Sequence, residues 1–340
     1  MAIIQIENLT KTYRVQQKRE GLRAAIGGLV RRQYREVQAV RGISLRVEQG
    51  EFVAFLGPNG AGKTTTLKLL SGVIFPTSGS ATVMGHVPWE RANAYRSRFA
   101  LVMGQKNQLW WDLPSQESFR LHQQIYRIDI AQFQRTLDEL TDLLAVRELL
   151  GRPVRELSLG ERMKMELLAA LLHSPDVLFL DEPTIGLDVV AQHNIQQFLR
   201  FYQQQRQITI ILTSHYMKDI AALCRRVVVI TDGAIKFDGS LSQVVDDFST
   251  TRLVRLRLGD DQSAEGIETY AQVESIRLPN VTLRCPKNNV AKILAELLAK
   301  YPIEDVAVDE PPLEEVISKL YQESNSAQST GAEQAGAVRR

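Results

Sequence analysis

Short apolar runs alternate with longer helical patterns along most of the chain. Three runs, at 177–180, 208–213 and 227–230, consist of Val, Ile, Leu, Phe and Thr. Such runs are typical of parallel strands that are buried on both faces. Helical patterns separate them, so the order of elements predicts an α/β fold.

The first part of the chain predicts strands and the middle predicts helices. Residues 3–9, 37–47 and 51–56 fit strands. Residues 115–173 are rich in leucines that recur with the 3.6-residue helical period. A helical subdomain is therefore expected over about residues 106–175.

Residues 16–36 differ from the segments on either side. They contain six basic and two acidic residues. The apolar residues between Leu22 and Val30 fit a helix, although Gly27 and Gly28 disfavour one. A basic amphipathic helix that contacts lipid or a membrane partner is one hypothesis, and a solvated loop is the alternative.

After about residue 245 the pattern changes to short strands around one helix, predicted at 290–300. The expected strands are 253–258, 273–278, 281–284 and 303–308. Residues 246–322 are therefore expected to form a small α+β domain. The tail at 323–340 is polar and rich in small residues, which predicts disorder.

Composition excludes a mainly disordered, collagen-like or coiled-coil chain. Hydrophobic residues make up 44% and charged residues 24%, an ordinary globular mixture. The net charge of +2 is too small to imply a nucleic-acid partner. Cys224 and Cys285 lie far apart, which argues against a disulfide scaffold and favours a reducing compartment. No apolar stretch reaches the length of a membrane span or resembles a signal peptide, so a soluble, unexported chain is expected.

The strongest local motif follows the predicted strand at 51–56. Residues 57–64 read GPNGAGKT, which matches GxxxxGK[ST], and a helical pattern follows. Backbone N–H groups of such a loop surround phosphates, Lys63 reaches the terminal phosphates, and Thr64 can bind Mg²⁺. The candidate nucleotide-binding residues are Gly57, Pro58, Asn59, Gly60, Ala61, Gly62, Lys63, Thr64 and Thr65.

A pair of carboxylates ends the apolar run at 177–180. Asp181 lies where a buried strand would present a carboxylate to Mg²⁺ beside the phosphate loop. Glu182 can polarise an attacking water as a general base. Together with the phosphate loop, the pair indicates a nucleotide hydrolase.

Four further motifs follow in a characteristic order. They are Gln105, LSLGER at 157–162, GLD at 186–188 and TSH at 213–215. With the phosphate loop and the carboxylates, they make the sequence resemble the ATP-binding subunits of ABC transporters over about residues 1–240. The resemblance implies an ABC-type P-loop NTPase domain at 1–245, with an antiparallel β-subdomain and a helical subdomain.

The resemblance also implies a head-to-tail dimer with two ATP molecules at its interface. Ser158 and Gly160 would bind the γ-phosphate held by the partner subunit. Asp188 would communicate across the dimer, and Tyr13 would stack on adenine. The resemblance gives Glu182, His215, Gln105 and Lys63 as the catalytic set, and Thr64, Gln105 and Asp181 as the Mg²⁺ set.

The signature motif departs from the usual LSGGQ of the family. Leu159 replaces the first glycine and Glu161 replaces the glutamine. Ser158 and Gly160 remain, so the expected phosphate contacts are retained.

Several strings resemble one branch, the ATPases that serve ABC-2-type permeases, including viologen and drug exporters. They are LWWDLP at 109–114, PVRELSLGERMK at 153–164, ALLHSP at 170–175 and DEPTIGLD at 181–188. This branch implies an exporter subunit on the cytoplasmic face of the inner membrane, with separate permease chains that contact the transported substrate. An importer subunit and a soluble, non-transport ABC ATPase are the alternatives.

Trp110 and Trp111 follow Gln105 closely and are expected to contact the permease. Packing in the core of the helical subdomain is the alternative.

Overall fold

The computed structural model describes residues 1–16, 34–214, 216–259 and 264–321. It divides into two compact units, Met1–Asp238 and Gly239–Arg340. The division lies a few residues before the domain boundary expected at residue 245. The predicted helix at 22–30 and the predicted disordered tail lie outside the described residues.

The first unit alternates strands and helices. Its strands are β1 (Ala2–Gln16), β2 (Tyr34–Glu48), β3 (Phe52–Leu56), β4 (Ser78–Val83), β5 (Phe99–Met103), β6 (Val177–Asp181), β7 (Thr209–Thr213), β8 (Arg226–Thr231) and β9 (Ala234–Ser240). Its helices are α1 (Lys63–Leu70), α2 (Asn93–Arg96), α3 (Ser115–Tyr126), α4 (Ile130–Leu144), α5 (Leu159–Leu171), α6 (Val189–Arg206) and α7 (Met217–Leu223).

A six-stranded sheet in the order β5-β6-β7-β3-β8-β9 forms the centre of this unit. The pairs β5–β6, β6–β7, β7–β3 and β3–β8 are parallel. Every residue of β3, β6 and β7 is buried, which confirms the strands predicted from their continuous apolar runs. The carboxyl ends of β3, β6 and β7 lie at one edge, where open α/β sheets bind ligands.

A second sheet is antiparallel, in the order β2-β1-β4. Ile4 and Ile6 are buried, whereas Gln5 and Glu7, which alternate with them, are exposed. This alternation is typical of a sheet with one face on the core. The sheet shares a hydrophobic core with the six-stranded sheet, as expected for an antiparallel β-subdomain.

Helices α3, α4 and α5 occupy the region where a helical subdomain was predicted. Asp129 begins α4, because its carboxylate accepts the N–H groups of Ala131 at 3.0 Å and Gln132 at 3.1 Å. Helix α5 is apolar over most of its length and almost wholly buried from Met165 to Leu171.

The second unit begins with α8 (Leu241–Phe248) and contains an antiparallel sheet in the order β11-β12-β10-β13. Its further elements are β10 (Thr251–Leu258), β11 (Gln272–Arg277), β12 (Asn280–Pro286), α9 (Val290–Lys300) and β13 (Ile303–Asp309), followed by a helix at 313–321. Val254, Leu256, Leu283 and Leu297 are among the residues of its own core. The predicted strands and the predicted helix of this region are confirmed.

Among the helices of the described segments, none combines the length and the apolar character needed to cross a membrane.

Candidate nucleotide-binding site

The phosphate loop connects the buried strand β3 to helix α1 and requires glycine at two close approaches. Gly62 has φ 107°, and a Cβ atom there would lie 2.4 Å from the carbonyl oxygen of Ala39. A Cβ atom on Gly57 would lie 2.1 Å from the carbonyl oxygen of Ile230. Neighbouring backbone therefore fixes the path of the loop and leaves no room for side chains there.

The side chain of Lys63 lies against the backbone of the phosphate loop. Its side chain is 5% exposed, and Nζ donates to the carbonyl oxygens of Gly57 at 2.6 Å and Pro58 at 3.1 Å. Burial lowers the pKa of this ammonium group, whereas the negative charges of Glu182 and Asp181 act in the opposite direction. A phosphate at this point would supply the negative partner that stabilises the charged lysine.

Asp181 joins three elements at the edge of the sheet. Its Oδ1 accepts hydrogen bonds from Thr64 Oγ1 at 2.8 Å and from Thr213 Oγ1 at 2.7 Å. Thr64 lies in the first turn of α1, and Thr213 ends β7. Thr213 was not among the residues expected at the site, although its place at the end of a predicted buried strand indicated this edge.

Glu182 leaves β6 in an unusual conformation. Its φ of 52° falls in the left-handed region, which costs of order 1–3 kcal/mol for a residue other than glycine. Its N–H donates to both the carbonyl oxygen and the hydroxyl of Thr213, at 3.0 and 3.1 Å. A Cβ atom on Gly104 would lie 2.2 Å from the Glu182 carbonyl oxygen, so only glycine fits opposite it.

Strand register brings Gln105 to the same edge. Met103 at the end of β5 pairs with Asp181, and the N–H of Gly104 donates to the Asp181 carbonyl oxygen at 2.8 Å. Gln105 follows directly and is exposed. The backbone thus places Gln105 next to the two carboxylates.

The LSLGER motif forms the start of α5. Ser158 Oγ accepts the Glu161 N–H at 3.3 Å, and Glu161 Oε2 accepts the Ser158 N–H at 2.8 Å. This reciprocal pair is a capping box. The N–H bond from Ser158 holds the pKa of Glu161 below its usual value. The glutamate that replaces the usual glutamine therefore stabilises the helix start in its ionised form.

The same motif packs against the start of α6. A Cβ atom on Gly160 would lie 2.8 Å from the Ala191 Cβ, and one on Gly186 would lie 3.1 Å from Leu159. Asp188 caps α6, since its Oδ1 accepts the Ala191 N–H at 2.8 Å. The LSLGER and GLD motifs are thus in direct contact within one chain.

An exposed apolar pair adjoins this contact. Val189 is 80% exposed and Val190 is 70% exposed, at the first two positions of α6. Val189 and Val190 therefore form a small exposed apolar patch beside the contact between the LSLGER and GLD motifs.

The remaining expected residues are placed as follows. Tyr13 is half-buried on β1, pairs with Val37 of β2, and has Lys11 Nζ 5.2 Å from its ring centroid. Ala39, two residues further along β2, lies next to Gly62 of the phosphate loop. Thr65 is half-buried in the first turn of α1. His215 lies outside the described residues.

The oxygen ligands fit Mg²⁺. The Thr64 hydroxyl and the Asp181 carboxylate lie together beside the phosphate loop. Mg²⁺ usually binds one or two protein oxygens and otherwise waters and substrate phosphates. Within the described part of the chain, no group of three or more His, Cys, Asp or Glu residues could hold a metal.

Comparisons with known proteins agree with this geometry. Residues 40–185 match the family model described as "ABC transporter", and residues 250–309 match the C-terminal domain of EvrA-like ABC transporters. The Nod factor export ATP-binding protein I of Cupriavidus pinatubonensis is 33% identical over 268 residues, which are 79% of this chain and 82% of that protein. This chain belongs to the ABC transporter ATPase family. The family indicated by the motifs is confirmed.

Other known proteins are also similar to this ABC ATPase. The ABC transporter ATP-binding protein NatA of Bacillus subtilis is 30% identical over 210 residues, 62% of this chain and 85% of that protein. A solved ATP-binding subunit of an ABC transporter is 25% identical, with a TM-score of 0.60, over 72% of this chain and 93% of that one. The structure of MJ0796 with ADP and phosphate is 21% identical, with a TM-score of 0.58, over 70% and 98% of the two chains. At that identity it shows the fold alone.

The tryptophan pair of the ABC ATPase lies at the surface. Trp110 and Trp111 are 48% and 45% exposed. The guanidinium carbon of Arg162 lies 5.3 Å from the Trp111 ring centroid, a cation–π contact. This exposure argues against the alternative that the pair forms the core of the helical subdomain.

Proposed function

We propose that this chain hydrolyses ATP to power an ABC-2-type membrane exporter. The observation that carries the proposal is the 2.8 Å hydrogen bond that joins Thr64 of the phosphate loop to Asp181, next to Glu182, in a member of the ABC ATPase family. The chain would act as a peripheral subunit on the cytoplasmic face of the inner membrane. The transported substrate would contact the permease chains.

ATP would bind with its phosphates along the loop at 57–64. Lys63 would exchange its two carbonyl partners for phosphate oxygens, and the N–H groups at the start of α1 would point to the same charge. Tyr13 would stack on the adenine.

Hydrolysis would use Glu182 as the general base. The carboxylate accepts a proton from water, the water oxygen bonds to the γ-phosphorus, and the bond to the ADP oxygen breaks. Gln105 and His215 would position the water and the γ-phosphate. Thr64, Asp181 and Gln105 would hold Mg²⁺, which neutralises charge on the phosphates when bound.

A second copy of the chain would complete each site. The N-terminus of α5 presents the exposed Ser158 hydroxyl, which fits the γ-phosphate of a nucleotide on a partner subunit. Val189 and Val190 lie beside this surface and would be covered in the dimer. ATP would close the dimer because its phosphates bind both subunits.

The permease would contact the surface around Trp110 and Trp111. Large exposed aromatic side chains are frequent anchors in protein interfaces. Three relatives are named Nod factor export ATP-binding protein I, which favours an exporter as the partner. The second unit would be the C-terminal domain of this ATPase subunit. Its residues 250–309 match an ABC transporter C-terminal domain.

The proposal is tested by purifying the chain with the membrane proteins that bind it. We expect six-span permease chains in the complex and ATP hydrolysis that a transported compound stimulates after reconstitution. Co-purification with a substrate-binding-protein-dependent importer, or with no membrane protein, would contradict the exporter assignment.

A further inference from the structure

A buried carboxylate connects the signature helix to the segment between Gln105 and the tryptophans. Glu166 lies on α5 and is 3% exposed. Its Oε1 accepts the N–H groups of Gln108 at 2.9 Å and Leu109 at 3.4 Å, and its Oε2 lies 3.1 Å from the same Gln108 nitrogen. Glutamate is rarely buried without such partners.

The backbone beyond Gln105 depends on this carboxylate. The chain at 105–112 belongs to no strand or helix, so its N–H groups lack partners in a regular element. Further along, the Trp110 N–H donates to Ser118 Oγ at 3.1 Å. Arg162, one turn before Glu166, contacts the Trp111 ring. Two side chains of α5 therefore hold the segment 108–111, which is called the tryptophan segment below.

The same helix begins at the expected phosphate contact. Ser158 precedes Glu166 by eight residues, which is about 12 Å along a helix axis. Most of the helix between Met165 and Leu171 is buried, so α5 is packed as a rigid element. A shift of its N-terminus towards a nucleotide would therefore move Glu166 and the backbone bonded to it.

We propose that Glu166 is a positioning residue that makes the tryptophan segment follow the signature helix when ATP binds. The inference rests on the proposed function, since it takes ATP as the ligand at Ser158 and a permease as the partner of the tryptophans. Without the carboxylate, α5 could move while the tryptophan segment stays behind.

The charge of Glu166 gives this link a pH dependence. Burial raises the pKa of Glu166 to about 7, although the bonds from Gln108 and Leu109 and the charge of Arg162 oppose the shift. From α3, His122 contacts the Ala169 carbonyl oxygen of α5, and burial lowers its pKa. The groups that face Glu166 from 108–109 are backbone N–H groups. A protonated carboxyl is a weaker acceptor, so the link is expected to weaken as the pH falls through about 7.

The contribution of Glu166 to the stability of the fold would increase as the pH falls, whereas the link to the tryptophan segment would weaken. Because the pKa of Glu166 is raised on folding, its ionised form disfavours the folded state. This contribution to stability is largest below the usual glutamate pKa of 4.5 and is lost as the pH rises through about 7. A loss of coupling at lower pH would therefore not reflect unfolding caused by this group.

The test follows the fluorescence of Trp110 and Trp111 in the full chain with Trp89→Phe, which removes the third tryptophan. We expect ATP to change the fluorescence, and the change to shrink as the pH falls from about 8 to 6. Glu166→Gln should lose most of the change at every pH, with ATP affinity within about twofold of the parent.

The matched control is Glu117→Gln, which removes a half-buried α3 carboxylate paired with Arg120 at 3.0 Å. It should retain the ATP response and its pH dependence. A Glu166→Gln variant with the parental response and pH profile would overturn the inference. If that variant does not fold, a parental response independent of pH between 6 and 8 would overturn it. A parent chain that does not bind ATP would overturn the proposed function as well.

Discussion

The hydroxyl of Thr213, at the end of β7, lies 2.7 Å from Oδ1 of Asp181, at the end of the neighbouring strand β6. The same hydroxyl accepts the N–H of Glu182. One side chain therefore bonds both to the carboxylate of Asp181 and to the backbone of Glu182. It acts through them and would not touch the nucleotide.

Thr213→Val should reduce ATP turnover by about tenfold or more, because small displacements of reacting groups are costly. It should also lower the free energy of unfolding by about 1–3 kcal/mol. Thr209→Val is the matched control, since Thr209 lies on the same strand and accepts the Gly50 N–H at 2.9 Å. The control should lower stability similarly and leave turnover unchanged. Equal turnover in the two variants would argue against a positioning role for Thr213.

Glu182→Gln should bind ATP but hydrolyse it about 10²–10⁴-fold more slowly, because the amide cannot accept the proton of the attacking water. The variant should accumulate as an ATP-bound dimer, measurable by size-exclusion chromatography with light scattering. Lys63→Ala gives the contrasting result, a loss of ATP affinity, since the phosphates lose their charged partner. Wild-type turnover in Glu182→Gln would exclude Glu182 as the base.

Val190→Asp should prevent the ATP-bound dimer when it is combined with Glu182→Gln. A carboxylate at a covered apolar contact is costly, whereas in the monomer the exposed position should tolerate it within about 0.5 kcal/mol. Val308→Asp is the control, because Val308 is also exposed but lies in the second unit. A dimer of unchanged stability would show that the start of α6 is not the interface.

Alanine at Trp110 or Trp111 should weaken binding to the permease or uncouple hydrolysis from transport. The thermal midpoint of the isolated subunit should change little, because both side chains are about half exposed. Phe201→Ala provides a comparison at a similarly exposed aromatic residue on α6. A large loss of stability with intact coupling would instead assign the pair to packing.

The basic segment predicted at 16–36 connects two paired strands, β1 and β2, and most of it can be removed without stretching the chain. Gln16 and Tyr34 pair across the β1–β2 ribbon, so a short turn can replace residues 17–33. If the basic segment binds lipid or the permease, this deletion should reduce recovery with membranes at low salt and leave the ATPase activity of the subunit intact. Unchanged recovery would contradict that hypothesis, and lost ATP binding would indicate a role in holding Tyr13.

The parts of the site that sequence patterns predicted are those that local chemistry determines. Strands β6 and β7 were predicted because a strand that is buried on both faces needs a continuous apolar run. The phosphate loop was predicted because its glycines and lysine have a fixed spacing. The capping box of Ser158 and Glu161 was not predicted, although its spacing S-x-x-E is visible in the sequence.

Other parts depend on neighbours that are distant in sequence. The left-handed φ of Glu182 and its contact with Gly104 result from the pairing of β5 with β6. From the sequence alone, Glu166 would be taken for a surface residue of a helix. Only the packing of 108–109 against α5 shows that it is buried and bonded.

The position of Lys63 has a consequence for ligand choice. Its ammonium group donates to two carbonyl oxygens of its own loop, so an incoming anion has to compete with these acceptors. A small ion of single charge would gain little by displacing two hydrogen bonds at a buried lysine. A polyphosphate can replace both and also reach the N–H groups at the start of α1, so the loop itself is expected to discriminate in favour of nucleotide over simple salts.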